Sequence, residues 1–199
     1  MLVAAAAVGT VGVAFGLYWF QPWKLWTDDR VDDALPAVAT AVATAPVAGP
    51  AIVGPSASSS APARAVLLAR GTFVSHEHAT SGTASIVRQP DGRRVLALAG
   101  LHTSEGPVVK VWLTDRAVTK DGWHVFDDGR YVNLGALKGN LGNQLYPIPD
   151  GTVLTGLRSV TIWCDRFDVS FGAAELIRRD DRLTGAGDGN RTRVISLED

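Results

Sequence analysis

The stretch from Arg158 to Phe171, RSVTIWCDRFDVSF, decides the fold. It is rich in β-branched and aromatic residues and has no helical periodicity, which predicts two short strands, one ending at Cys164 and one beginning at Phe167. Because side chains alternate along a strand, Val160, Ile162 and Cys164 share the more apolar face. The opposite face carries Ser159, Thr161 and Trp163.

Similar short runs precede this stretch, and Pro/Asp/Gly-rich turn signals separate them. The predicted strands are Val66–Val74, Thr83–Arg88, Arg93–Ala99, Val108–Thr114, Tyr131–Leu134, Arg158–Cys164 and Phe167–Phe171. No long amphipathic helix interrupts them. The pattern predicts an all-β domain over residues 66–178, an antiparallel β-sandwich or barrel of about seven to nine short strands.

Composition excludes several classes of protein. The 199 residues are 46% hydrophobic and 20% charged, with a formal net charge of -1. A protein that binds nucleic acid needs a surplus of Lys and Arg to neutralise the phosphates, so no nucleic-acid partner is expected. A single cysteine excludes an internal disulfide, a Cys-rich zinc site and a Cys-x-x-Cys pair.

Residues 1–26 are interpreted as a transmembrane anchor, because Leu2 to Phe20 carries no charge and would span roughly 29 Å as a helix. Trp19, Trp23 and Trp26 would lie at the membrane interface with Lys24 beside them. A cleaved signal peptide would need a cleavage site directly after the run, and the sequence has none there. A buried globular helix would not be apolar on every face. Since no charged segment precedes the run, translation is expected to start further upstream.

Residues 27–65, dominated by Ala, Pro and Ser, are predicted to be a disordered linker. Residues 179–199 are polar, punctuated by glycine and predicted to be a disordered tail. That tail resembles the translation of the opposite strand of a transfer-RNA gene, as in a spurious read-through.

Cys164 is the only thiol, and two interpretations stay open. It is either a small buried hydrophobe or a redox group whose thiolate a neighbouring cation stabilises. Asp165 and Asp168 would oppose the thiolate, whereas Arg166 would favour it.

His76 and His78 are two residues apart, so on a strand they would project from one face as a weak metal or haem site. His102 and Cys164 are the plausible additional ligands, which would give a copper-like set. The alternative is a pair of surface or hydrogen-bonding histidines.

The Gly-rich stretch from Gly139 to Gln144 lacks the Lys-Ser/Thr that binds phosphate and is predicted to be a turn. Its Asn and Gln side chains, with Tyr146, form an alternative polar patch for a ligand. Motifs of hydrolytic enzymes are absent, and independent enzymatic activity is not expected.

Four segments, taken in order, resemble the DM-thirteen domain family, also called the electron-transfer DM-thirteen domain. They are Phe73–Ala84, Thr103–Leu113, Leu134–Pro149 and Ser159–Gly172. In animals this domain accompanies DOMON and cytochrome-like domains, and in bacteria it often follows a membrane anchor. This chain has neither accompanying domain, so a separate redox or cell-surface protein is the expected partner.

The resemblance implies a β-rich extracytoplasmic domain in a single-pass cell-membrane protein, although Lys24 and Arg30 after the anchor favour the opposite orientation. It also implies that Cys164 matches the family's characteristic cysteine, proposed to work in electron transfer or thiol redox chemistry. Cys164 and His78 would then bind a cofactor, haem or copper, if one is bound at all. The alternative function is a noncatalytic surface binding module in which Cys164 is a core residue.

Overall fold

The computed structural model describes residues 2–25, 27–38 and 64–178. Helix α1 (Leu2–Phe20) is followed by a 3-10 turn (Pro22–Leu25). The strands are β1 (Arg30–Asp32), β2 (Val66–Ser75), β3 (Ser81–Arg88), β4 (Arg94–His102), β5 (Val109–Thr114), β6 (Tyr131–Ala136), β7 (Leu141–Pro147), β8 (Ser159–Cys164), β9 (Val169–Glu175) and β10 (Ile177–Arg178).

The strands form one sheet in the order β1-β7-β4-β3-β2-β9-β8-β5-β6, with β10 also pairing with β2. Strand β2 joins the two halves of the sheet, because Val66–Thr72 pairs with β3 and Phe73–Ser75 pairs with β9. Gly71 lies at this change of partner, and a Cβ there would overlap the carbonyl oxygen of Glu175. A residue without a side chain therefore allows the sheet to turn back on itself.

The main core lies between the two halves and takes apolar side chains from both. Leu96 and Leu98 of β4 and Val160 and Ile162 of β8 are all fully buried there. A second cluster, on the other face of β5, β8 and β9, contains Trp112, Phe126, Trp163 and Ala173. Strand β8 is consequently buried on both faces, and Cys164 shares the main core with Val160 and Ile162, as alternation predicts.

Strand β1 pairs with β7 in parallel, with Val31 opposite Gly142, whereas the other named strands of the described residues pair antiparallel. Gly142 has a φ of +100°, and a Cβ there would overlap the carbonyl oxygen of Val31. The glycines in the stretch predicted to be a turn thus permit a strand, β7, to bind a neighbour at close range.

The predicted fold class is wrong in part. The described part of the chain is mostly β and its two packed halves are sandwich-like, but the ten strands form one half-barrel sheet rather than two separate sheets or a closed barrel. Pairing is antiparallel except between β1 and β7. Neither β1 nor β7 was predicted, because β1 is mostly charged and β7 begins in the Gly/Asn-rich stretch.

The predicted transmembrane anchor and single-pass membrane location are also wrong. Within the described residues, no helix is long and apolar enough to cross a bilayer.

Most of the predicted linker and all of the predicted tail fall on residues 39–63 and 179–199, which lie outside the described residues. The linker, tail and domain boundaries therefore stay predictions.

Candidate functional site

Cys164 ends β8 with its side chain fully buried. Its Sγ donates a hydrogen bond to the carbonyl oxygen of Pro107 at 3.3 Å. Two loops adjoin this thiol: residues 105–108, which precede β5 and supply the Pro107 carbonyl, and the turn 165–168, which connects β8 to β9. The thiol is thus held in apolar packing, with a backbone carbonyl as its hydrogen-bond acceptor.

Both adjoining loops contain a non-glycine residue in the left-handed region. Val108 has a φ of +58° and Asp168 a φ of +49°. This conformation costs a β-branched residue such as Val108 roughly 1–2 kcal/mol, and it costs an aspartate less, because Asp is one of the types enriched there. The two loops contact each other, because the backbone N–H of Asp165 donates to the carbonyl oxygen of Val108 at 3.2 Å. Lys110 of β5 also pairs its ammonium with the Asp165 carboxylate. Backbone strain is thus concentrated over the buried thiol.

Burial raises the pKa of the Cys164 thiol. The backbone N–H groups of Arg166 and Phe167 offset this only in part, and the Asp165 carboxylate adds to it. Because the thiolate is the nucleophile, the closed site holds Cys164 in its unreactive form. The sulfur is also out of contact with solvent in this conformation.

The N-terminal segment packs against the outside of the turn 165–168. Arg166 donates a hydrogen bond from Nη1 to the carbonyl oxygen of Trp19 at 2.6 Å, and its guanidinium lies 4.3 Å from the centre of the Trp19 ring. Phe20 stacks on Phe167 with ring centres 6.2 Å apart. The cation expected to favour the thiolate is therefore bound to the end of α1.

His76 uses both ring nitrogens. Nε2 lies 3.1 Å from the carbonyl oxygen of Thr119, and Nδ1 lies 2.9 Å from the Ser170 hydroxyl. Because a carbonyl oxygen only accepts, Nε2 carries the proton and Nδ1 accepts from Ser170. The Ser170 hydroxyl in turn accepts from Thr161 at 2.8 Å, and burial lowers the pKa of His76, which favours the neutral ring.

His78 lies apart from this network. Strand β2 ends at Ser75, so the same-face spacing expected for His76 and His78 does not apply. The His76 ring stacks on Phe126, whereas the His78 ring lies 4.0 Å from the Phe171 ring. Burial also lowers the pKa of His78.

The other predicted ligands do not converge with these histidines. His102 is exposed at the end of β4. Within the described ranges, no group of three or more His, Cys, Asp or Glu side chains could hold a metal ion. With both ring nitrogens of His76 engaged and Cys164 buried, the arrangement does not fit haem or copper. The assignment of His76, His78 and Cys164 as ligands stays a prediction.

Comparison with protein families identifies the domain. A family model described as Electron transfer DM13 matches residues 72–176. The chain belongs to the Electron transfer DM13 family. Comparison with curated proteins and with solved structures found no match.

The part matched by the Electron transfer DM13 model includes Cys164 and both loops above it, as well as His76 and His78. It begins within β2 and leaves out α1 and β1. The family resemblance found in the sequence is confirmed over this range, and it supports a redox role for the domain. The bacterial membrane-anchored type is not supported.

Sequence reasoning missed the features that enclose the thiol. The residue type of Val108 does not signal a positive φ, because β-branched residues are rare in this conformation, whereas aspartate, as at Asp168, is enriched there. It also missed an aromatic stack in which Trp112 lies between Tyr131 and Trp163, at ring-centre distances of 4.2 and 5.1 Å. The signal for that stack was available, since alternation places Trp112 and Trp163 on matching faces of adjacent strands.

Proposed function

We propose that this DM13 domain is an electron-transfer module that works through thiol redox chemistry at Cys164. The observation that carries the proposal is that the only cysteine of a domain in this family ends β8 beside two loops that each hold a non-glycine residue at positive φ. Strain at these loops lowers the free energy needed to expose the sulfur.

The reaction begins with local opening of residues 105–108 and 165–168. Once exposed, the thiol loses its proton to solvent, and the thiolate attacks one sulfur of a disulfide in a separate redox protein. The Cys164–sulfur bond forms as the partner's S–S bond breaks, and the leaving thiolate takes up a proton. A second thiol then attacks the mixed disulfide and releases Cys164 as a thiol, so the disulfide passes from one pair of sulfurs to another.

The partner must be a second molecule, because Cys164 has no other cysteine in the chain with which to form a disulfide. Arg166 and the backbone N–H groups of Arg166 and Phe167 lie beside the sulfur and stabilise its charge. When the turn 165–168 moves, Arg166 is also free to leave Trp19. Opening thus both exposes the sulfur and frees the nearest cation.

The test is to incubate the folded full chain with oxidised glutathione and to measure the mixed disulfide by mass spectrometry. We expect the wild type to form it at Cys164 and reduced glutathione to release it, whereas Cys164→Ser forms none. Val160→Thr is the matched control, because it places a hydroxyl on the same fully buried face of β8 without removing the thiol.

A folded wild type that forms no mixed disulfide contradicts the proposal. If Cys164→Ser alters only the free energy of unfolding, and by an amount similar to Val160→Thr, Cys164 is a packing residue. The domain would then fit the noncatalytic binding module.

A further inference from the structure

Strand β1 belongs to an acidic segment, Asp28 to Asp33, that lies beside the domain as an extended strap. We call residues 28–33 the acidic strap and residues 138–145, which receive it, the acceptor edge. The strap lies outside the family match at residues 72–176. It is therefore an addition to the sheet edge from outside the part of the chain that the family model matches.

Backbone hydrogen bonds align the strap with β7. The N–H of Leu141 donates to the carbonyl oxygen of Asp29 at 3.2 Å, and the N–H of Asp33 donates to the carbonyl oxygen of Asn143 at 2.9 Å. This is the geometry of strand addition, in which the main chain of a ligand extends an open sheet edge.

Side chains of the acceptor edge then bind the acidic groups. Asn140 is 2% exposed and uses both ends of its amide: Oδ1 accepts from the N–H of Asp29 at 2.7 Å, and Nδ2 donates to the Asp28 carboxylate at 2.8 Å. Asn143 donates to the Asp32 carboxylate at 2.6 Å. These contacts distinguish an acidic strand from an apolar one.

Asp33 makes the only ion pair of the strap with this edge among the described residues. Its carboxylate accepts from Lys138 Nζ at 2.6 Å and from the backbone N–H of Leu145 at 2.8 Å. Gly139 and Gly142 leave room for the strap backbone, since a Cβ at either would overlap a carbonyl oxygen of the strap. Shape, polar groups and charge of the acceptor edge all match an extended acidic segment.

The connection from the strap to the domain is longer than its path requires. Val38 forms a bridge with Ala65, so the two ends of the connection lie side by side. The intervening residues 39–63, roughly 25 of them, could reach at most about 85 Å if extended. Compact domains seldom use so long a connection between neighbouring elements.

We propose that the acceptor edge is a strand-binding site and that its ligand in trans is the acidic strap of a second copy of this chain. Two copies exchange straps reciprocally, each sheet edge receiving residues 28–33 of the other molecule with the contacts seen within one chain. The exchange produces a symmetric dimer, because the same two surfaces meet twice. The proposal is independent of the role of Cys164.

Within one chain the strap has an advantage, because a tether of this length gives an effective concentration in the millimolar range. At micromolar concentration the wild type is therefore expected to be a monomer with its own strap bound. Weakening the contact within the chain while keeping the contact between chains makes the exchange measurable.

The experiment uses two full-length charge-reversal variants, Asp33→Lys and Lys138→Glu. Each has like charges facing one another within its own chain. Mixed together, they can exchange straps so that both edges pair opposite charges, and we expect an equimolar heterodimer by native mass spectrometry. Its association should be on the order of tenfold tighter than the self-association of either variant, given the modest worth of a partly exposed ion pair.

The control is the double variant Asp33→Lys/Lys138→Glu in one chain, which restores opposite charges internally. We expect it to return to the monomeric behaviour of the wild type. A mixture that remains two monomers overturns the proposal. A heterodimer that is equally stable when one variant also carries Val31→Pro, which disrupts the strap backbone, overturns it as well.

Discussion

The Cys164 site and the acceptor edge lie in opposite halves of the sheet and differ in almost every physical respect. Cys164 is enclosed by apolar packing and by loops that hold Val108 and Asp168 in unfavourable backbone conformations. The acceptor edge is polar, is shaped by glycines, and binds its ligand through well-formed hydrogen bonds. One region buries its thiol in the core, whereas the other holds an extended segment at the edge of the sheet.

The largest expected effect is the loss of unfolding free energy when a side chain is removed from the core around Cys164 rather than from the surface. Ile162→Ala removes a fully buried side chain from β8 and should lower the free energy of unfolding by about 2–5 kcal/mol. Urea denaturation measures it. Val153→Ala, at a side chain that is 63% exposed, is the control and should change the free energy by less than about 0.5 kcal/mol. Equal effects would mean that β8 is not the centre of the core.

The next effect tests the acceptor edge. Gly142→Ala should release the acidic strap, because the added Cβ meets the Val31 carbonyl oxygen. The expected result is faster amide hydrogen exchange in residues 29–33 with β8 still protected. Gly135→Ala is matched in backbone conformation, with φ of +119° and open space around its Cβ position, and should leave the strap protected. Loss of protection in both variants would assign the effect to backbone strain alone.

A smaller effect concerns the strain above Cys164. Val108→Gly relieves the positive φ at the cost of extra chain entropy, so the net gain in stability should be at most about 1 kcal/mol. Because the closed loops become more favourable, modification of Cys164 should slow by up to about fivefold. Faster modification would show that the Val108 side chain, rather than its backbone, keeps the loop closed.

The smallest effect is a pH dependence of strap binding. The Lys138 ammonium and the backbone N–H of Leu145 lower the pKa of Asp33 from 3.8. Because the pKa is lower in the bound state, the ionised Asp33 carboxylate stabilises the bound strap, and this contribution is fully present above pH 3.8. It is lost as the pH falls through the lower pKa of the bound state. Hydrogen exchange of residues 29–33 between pH 5 and pH 2.5, corrected for intrinsic rates, should show the loss. Asp33→Asn should weaken the dependence, and an unchanged profile would contradict this assignment.

The sequence predicted the parts of this molecule that depend on alternation. The strands from β2 to β6 and the pair β8 and β9 were found near their observed bounds, and Cys164 was placed on the correct face. Alternation works there because one face of each strand is apolar. It failed for β1 and β7, whose pairing depends on hydrogen bonds and glycine clearance rather than on buried apolar side chains.

The candidate site was predictable in its residue but not in its surroundings. Family resemblance pointed to Cys164, whereas the residue type of Val108 gives no sign of its positive φ. The prediction that His76 and His78 project from one face of a strand does not apply, because β2 ends at Ser75. The N-terminal helix was misjudged because an apolar run does not reveal that Trp19 and Phe20 bind Arg166 and Phe167.

The most direct test of the central claim is the rate at which Cys164 reacts with a thiol reagent in the folded full chain, compared with the rate of global unfolding. Local opening of the strained loops predicts a reaction at least about tenfold faster than global unfolding and nearly independent of low denaturant concentrations. A reaction rate equal to the unfolding rate, with the same denaturant dependence, would show that Cys164 is exposed only when the whole domain unfolds, and would contradict a redox role for it.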